Sequence, residues 1–336
     1  MVKFKHRKPM DPLEKLLTPT IYGNTPTFLA VPRARDKRDL KGADVAIIGG
    51  GYQSFGENPW RTDLGLTFYS QGERTFEILD PMLLRKASVK YSGFLPELNI
   101  DVFEHIRLVD YGDVTGISPI ITREDWVRAV QRTVEKISEV LEAGCIPITI
   151  ESSMYAVAKA MAERSKGSIG IITLDAHGDN ACPPPYVGWV DPVSTLEKVD
   201  MEKFVLIGMR GPRNFKEQLD WYQKRGSHVY TYKDIKERGI NAVIQEAVKI
   251  AYKGTENVLL NIDFDVLDLS VAPGLDEPLG IMMEDLLTVT LRIGEKGFAA
   301  FNIEWIPKPT AALYHIVTWT TLYLLAGLAM GRRKLR

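Results

Sequence analysis

Short, continuously apolar runs rich in β-branched residues alternate along this chain with longer segments whose apolar positions recur every three or four residues. The runs "ADVAIIGGG" (43–51), "CIPITI" (145–150), "SIGIITLDAH" (168–177), "KFVLIGMRG" (203–211), "ENVLLNIDFDVLD" (256–268) and "GFAAFNIEW" (297–305) have no polar face. They predict strands buried on both sides. "REDWVRAVQRTVEKISEVLEAG" (123–144) predicts an amphipathic helix closed by Gly144, with further helices over "AVAKAMAERSKG", near 236–253 and from Met283. This βαβα order predicts a mostly parallel sheet covered by helices on both faces, in a single domain without internal repeats.

Residues 311–330, "AALYHIVTWTTLYLLAGLAM", break the amphipathic pattern, being nearly free of charge over a length that could span a bilayer. His315, the threonines and tyrosines, and Gly327 dilute the apolarity, and no other segment resembles it. The expectation is a buried helix covering the sheet, with Trp319 in the core, and not a membrane span. The basic "GRRKLR" that follows suits a helix C-terminus.

Charge adds little. The 336 residues hold 42 Lys plus Arg against 43 Asp plus Glu, a net charge of −1, so no basic excess points to nucleic acid. Cys145 and Cys182 cannot build a disulfide framework, and the basic opening "MVKFKHRKPM" lacks a signal peptide's apolar region. A reducing, cytoplasmic setting is expected.

The candidate chemistry lies where apolar runs end. In "IGIITLDAHGDN" (169–180), Asp175, His177 and Asp179 are spaced by two, and a continuing strand would send all three from one face. "NIDFDVLD" repeats the pattern with Asp263 and Asp265. Ligands of open parallel sheets gather outside the C-terminal strand ends, which puts "ESSMYA", "DAHGDN", "MRGPRN", "DFDVLD" and "EWIPKP" on one rim. One such acidic pair is explained as well by caps and turns. Two, converging with an imidazole, form a donor set for a divalent metal: carboxylates suit hard cations, and histidine adds affinity for manganese, cobalt, nickel or iron. The glycines of "IGGGYQSFG" (48–56) lack the spacing of a dinucleotide loop.

"DAHGDN" and "NIDFDVLD" resemble the D-A-H-x-D and S-x-D-x-D-x-x-D-P signatures of ureohydrolases: the arginases, agmatinases and formiminoglutamases. "FVLIGMRG", "APG" at 272–274 and "EWIP" (against the family's E-x-N-P) add to the likeness, which spans roughly 40–330. It divides the chain into an N-terminal extension, 1–40, and a single domain, 41–336. The resemblance implies an arginase-like α/β fold: three layers, α/β/α, around a mostly parallel sheet of roughly eight strands. It also implies a dinuclear centre, usually manganese, in trimers or hexamers that hydrolyse a guanidinium group to urea. By position, Asp175 and Asp263 would bridge the metals, His177 and Asp265 would complete one site, and Asp179 would belong to the other. Asp179 would also take up the proton in catalysis, and Glu304 would face the substrate's guanidinium, a pairing that suits a carboxylate. Tyr52, Tyr186 and Trp189 are the candidates for loops that touch substrate.

Three departures from the family pattern bear on function. Where G-G-D-H-S should follow "IPITI" the chain reads "ESSMYA", so Met154, a soft neutral thioether, takes the place of a ligand histidine. No histidine occurs in "NACPPPYVGWVDPVS" (180–194), where arginases keep a proton-shuttling one, and Asn261 and Leu269 replace the Ser and Pro of the second aspartate motif. Fewer than two fully occupied metal sites are therefore expected, with manganese, nickel or cobalt. Two readings stand open: an amidinohydrolase with an altered site, alone or in a hetero-oligomer, or a non-catalytic homologue that partners a competent subunit.

Overall fold

A computed structural model describes residues 26–50, 81–115, 123–181, 189–271, 277–304 and 310–334. Among the described residues, eight strands form one sheet: β1 (Val45–Gly49), β2 (Leu108–Asp113), β3 (Ile146–Ile150), β4 (Ile169–Leu174), β5 (Val199–Met209), β6 (His228–Thr231), β7 (Asn257–Asp263) and β8 (Ala300–Glu304). Their order across the sheet is β2-β1-β3-β8-β7-β4-β5-β6, and every neighbouring pair is parallel. The six apolar runs all became strands. β2 ("LVDYGD") and β6 ("HVYT") carry too many polar residues to announce themselves, as edge strands with one neighbour can.

Two cores, one on each face, follow from the period-two alternation of the strands. Ile47, Ile148, Ile172, Val205, Leu260 and Phe301 point into one, and Ala46, Ile171, Phe204, Leu259 and Ala300 into the other. Helices α1 (Pro81–Ser88), α6 (Ile240–Ala251), α7 (Met283–Lys296) and α8 (Ala311–Lys334) cover the first face. The second lies under α2 (Arg123–Glu142), α3 (Met154–Ala162) and α4 (Lys216–Lys224). The helix expected near 236–253 is two: α5 (Tyr232–Arg238) stops at Gly239, whose φ of 79° lets the chain turn before α6 starts. Within the segment expected as an N-terminal extension, Phe28, Leu29, Val31 and Leu40 are buried in these cores.

α8 is long and apolar enough to cross a membrane, yet 67% of its most apolar stretch is buried inside the protein. It lies along α7 at backbone distance, since a Cβ on Gly327 would fall 2.3 Å from the Leu291 carbonyl oxygen. Trp319, expected in the core, is 41% exposed and stacks on Tyr323. An apolar helix gives no periodic signal for which stripe faces water.

A buried polar row crosses the sheet just below its C-terminal rim. Thr149, Asn302, Asn261 and Thr173 stand side by side on β3, β8, β7 and β4. Thr149 Oγ1 donates to Asn302 Oδ1 (2.6 Å), Asn302 Nδ2 to Asn261 Oδ1 (2.7 Å), and Asn261 Nδ2 to Thr173 Oγ1 (3.0 Å). Two residues further on come Glu304 and Asp263, the last residues of β8 and β7, and Glu151 and Asp175, just past the ends of β3 and β4.

Candidate metal centre

β4 ends at Leu174, so Asp175, His177 and Asp179 are not delivered by a continuing strand. The chain instead turns, with Asp175 Oδ1 accepting the His177 N–H at 2.6 Å. β7 likewise gives way after Asp263 to a single 3₁₀ turn, Phe264–Val266, capped by Asp263 Oδ1 through the Asp265 N–H at 2.9 Å. Asp265 Oδ1 in turn accepts the Ala176 N–H at 3.0 Å, which ties the two loops together. Short aspartate side chains that bond backbone two residues on are good turn formers, and here they also set the acids facing one another.

Asp175, His177 and Asp265 come together, each with one donor atom within 4.8 Å of the others and all three buried. His177 Nδ1 lies 2.8 Å from Asp265 Oδ2 and 3.8 Å from Asp175 Oδ1. Asp263 is buried beside them, and Asp179 is half-buried at a φ of 48° in the left-handed region. Glu304 ends β8 next to Asp263, and its Oε1 receives a long 3.4 Å contact from the Met154 N–H. Met154, buried, is the first residue of α3, whose N-cap Ser153 bonds the Tyr155 N–H. Trp189 is half-buried beside Val190, whose N–H holds the Asp179 carbonyl at 2.7 Å. Tyr52 and Tyr186 lie outside the described residues.

Burial first, and charge crowding after it, set the electrostatics. Burial, together with the neighbouring carboxylates, pushes Asp175 and Asp263 well above the usual range. Burial pushes Glu304 up to about 7, with the charge of Asp179 adding to it and the Asn261 amide opposing. Burial works against the His177 cation, but Asp265 and Asp179 outweigh it and raise the imidazole to about 9. Burial would also raise Asp265, yet His177 and the Ala176 N–H hold it below its ordinary value. A set of buried acids that cannot all ionise together is a set that a divalent cation would relieve. The residues fit one such ion well, with two carboxylates and an imidazole already facing each other. Among the described residues these three are the group whose donor atoms meet in this way.

Braces that the sequence alone did not single out hold this geometry. Arg210 donates to the carbonyls of Asp265 (2.8 Å), Leu267 (3.1 Å), Glu277 (3.1 Å) and Pro278 (2.9 Å). Asn214 accepts the Gly178 N–H at 2.8 Å and donates to the Ala176 carbonyl at 3.0 Å. Both lie in "MRGPRN", a stretch placed on the rim for its position alone. Glu277, 4% exposed, reaches His177 Nε2 at 3.3 Å, and nothing in its own surroundings, "LDEPLG", announced it.

A doubly covered parallel sheet in this strand order, with two aspartate-bearing turns meeting at its rim, is an arginase-like α/β fold carrying a metal-type donor set. Solved structures agree on the fold. Proclavaminate amidinohydrolase from Streptomyces clavuligerus superposes with a TM-score of 0.73, at 22% identity, over 91% of this chain and 97% of that one. Formimidoylglutamase from Bacillus subtilis gives 0.71 at 20% identity, over 95% and 98%. Trypanosoma cruzi formiminoglutamase with Mn²⁺ gives 0.72 at 21%, over 91% and 99%. By sequence, the chain is 27% identical to the Streptomyces clavuligerus amidinohydrolase over 308 residues, 88% of each protein. It is 26% identical to an agmatinase from Chromobacterium violaceum over 288 residues, 82% of this chain and 80% of that one. Residues 68–305 match the arginase family, and the chain belongs to it.

Proposed function

We propose that this chain is a metal-dependent amidinohydrolase subunit that hydrolyses a guanidine-type compound to urea from an altered centre, with one strong metal position and one weak. The observation that carries the reading is the buried meeting of Asp175, His177 and Asp265, donor atoms within 4.8 Å, at the ends of two strands. Relatives named for amidino, agmatine and guanidino acid hydrolysis support the substrate class.

Asp175, His177, Asp263 and Asp265 would hold the cation, manganese by preference with nickel or cobalt as alternatives. The cation, when bound, supplies Lewis acidity and lowers the pKa of water. Glu304 binds the planar guanidinium in a charge-assisted pair, in which the substrate's positive charge favours the carboxylate over the neutral acid. Asp179, half-buried, would accept the proton released as water adds to the guanidinium carbon and pass it to the leaving amine. Trp189, half-buried next to the residue that holds the Asp179 carbonyl, is a candidate for touching substrate. The subunit works in the reducing cytoplasm as part of a trimer or hexamer. Its two cysteines and its balanced charge support that setting, with neither membrane nor nucleic acid as partner.

Met154 and the missing histidine in 180–194 favour a second reading, in which this chain partners a homologue carrying both residues and turns nothing over alone. General acid–base help contributes typically about 10²–10⁴-fold, so its loss with that of a ligand could abolish turnover while the fold survives. Elemental analysis after saturation with manganese, nickel or cobalt should find near one equivalent per chain. Two tightly held ions would overturn the altered-site reading, and none the metal reading. Urea release from a panel of guanidines, by the chain alone and then with the homologue added, separates the rest. Release by the isolated chain ends the partner reading, and Met154→His should tighten the second ion in either case.

A further inference from the structure

His177 is the imidazole of the cluster, and both of its ring nitrogens face carboxylates. Nδ1 meets Asp265 at 2.8 Å, and Nε2 meets Glu277 Oε1 at 3.3 Å. These two acids come from segments that Arg210 fastens together, because one guanidinium bonds the backbone carbonyls of both residues. Arg213 approaches the same Glu277 oxygen at 3.6 Å, from the solvent side. A Cβ on Gly211 would lie 2.8 Å from Glu277 Oε2, so the backbone there leaves room for the carboxylate and little more. Glu277 is thus a buried, charged residue held against one ring nitrogen of one histidine. Burying a carboxylate is costly without compensation, and here the compensation is centred on His177 and two arginines.

An imidazole that offers Nδ1 to a cation must keep its proton on Nε2, and the acceptor at Nε2 decides tautomer and ring orientation. We infer that Glu277 is a positioning residue of the centre: it accepts the Nε2–H of His177, keeps Nδ1 turned toward Asp175 and Asp265, and strengthens the ring as a donor to a divalent cation. The inference rests on the metal reading above, and the test separates the two.

The experiment measures Co²⁺ affinity of the full-length protein by competition with a chromophoric chelator, together with the visible absorption of the Co²⁺ form. Variants are Glu277→Ala, Glu277→Gln, His177→Ala and the double Glu277→Ala/His177→Ala. The melting temperature of each metal-free variant shows that it is folded. Loss of a carboxylate behind a ligand histidine typically costs 10–100-fold in metal affinity, so Glu277→Ala should weaken Co²⁺ binding by about that factor and shift the spectrum. Glu277→Gln, which keeps an acceptor oxygen without the charge, should recover part of it. In the His177→Ala background, removing Glu277 should change affinity no further; a merely structural role would weaken both backgrounds alike. Wild-type affinity and spectrum in Glu277→Ala, or in Glu277→Gln if the alanine variant does not fold, would overturn the inference. Wild-type Co²⁺ affinity in His177→Ala would instead overturn the ligand assignment, and the role of Glu277 with it.

Discussion

Asn302 is the centre of the polar row beneath the rim, and replacing it with leucine tests whether that row holds the acids in place. The side chain is fully buried and makes three bonds: it donates to Asn261 Oδ1 at 2.7 Å and to the Ser152 carbonyl at 2.8 Å, and accepts from Thr149 Oγ1 at 2.6 Å. Leucine keeps the branched skeleton of asparagine with bulkier methyl groups, so no cavity forms and any packing term adds to the cost. The Thr149 hydroxyl keeps the Phe301 carbonyl at 3.3 Å and is not stranded. Asn261 Oδ1 and the Ser152 carbonyl lose this donor in a site closed to water. At roughly 1–3 kcal/mol for each stranded acceptor, Asn302→Leu should cost roughly 2–6 kcal/mol. Urea denaturation of the metal-free protein, followed by far-UV circular dichroism and tryptophan fluorescence, measures the loss. A cycle with Asn261→Ala should return a coupling of about 0.5–3 kcal/mol, because the two amides share a bond. A cost under about 1 kcal/mol with an unchanged denaturant slope would refute the argument, and would mean that the row is incidental to the rim.

Asp263→Asn removes one charge from a crowd of buried acids, so it should raise the melting temperature of the metal-free chain while lowering metal affinity by tenfold or more; a variant that keeps its metal against a chelator would remove Asp263 from the ligand set. The metal-free protein should lose stability steadily from pH 5 to 9. Glu304, raised in the folded state from 4.5 to about 7, makes the folded chain bind more protons than the unfolded one between those two values, so its stabilisation is present below 4.5 and is lost as pH rises through about 7. His177, raised from 6.5 to about 9, contributes stability that is present below 6.5 and lost by 9, while Asp265 acts in the opposite sense only at acid pH. A melting temperature that is flat or rising between pH 5 and 9 would contradict these assignments. Arg85 lies buried between Asp110 (2.7 and 3.0 Å) and Asp113 (2.6 Å), so Arg85→Met should cost about 3–5 kcal/mol by leaving the buried Asp110 carboxyl without its cation; a loss under about 1 kcal/mol would show that the Phe28 and Gly112 N–H groups suffice to hold it.

The sequence by itself determined the elements that bury hydrophobic surface on both sides. Each of the six unbroken apolar runs became a strand, since no other short element uses such a run, and the 3.6-residue pattern of 123–144 gave α2 nearly to its ends. The two aspartate motifs were also legible as candidates, because each follows an apolar run and both match the ureohydrolase signatures. What lay hidden was everything set by partners distant in sequence. The exposed face of α8 depends on where α7 lies, which is why Trp319 was misplaced. The order β2-β1-β3-β8-β7-β4-β5-β6 pairs strands more than 100 residues apart, and no local pattern encodes such a choice. Period-two spacing suggested that Asp175 and His177 share a strand face, whereas the strand stops at Leu174 and hydrogen bonds from the aspartates themselves shape the turn. Glu277, 100 residues from His177, meets it in a loop that Arg210 bonds to the turn carrying Asp265. Periodicity reports what an element buries; the meeting of charged side chains is decided by backbone hydrogen bonds and packing that only the assembled sheet provides.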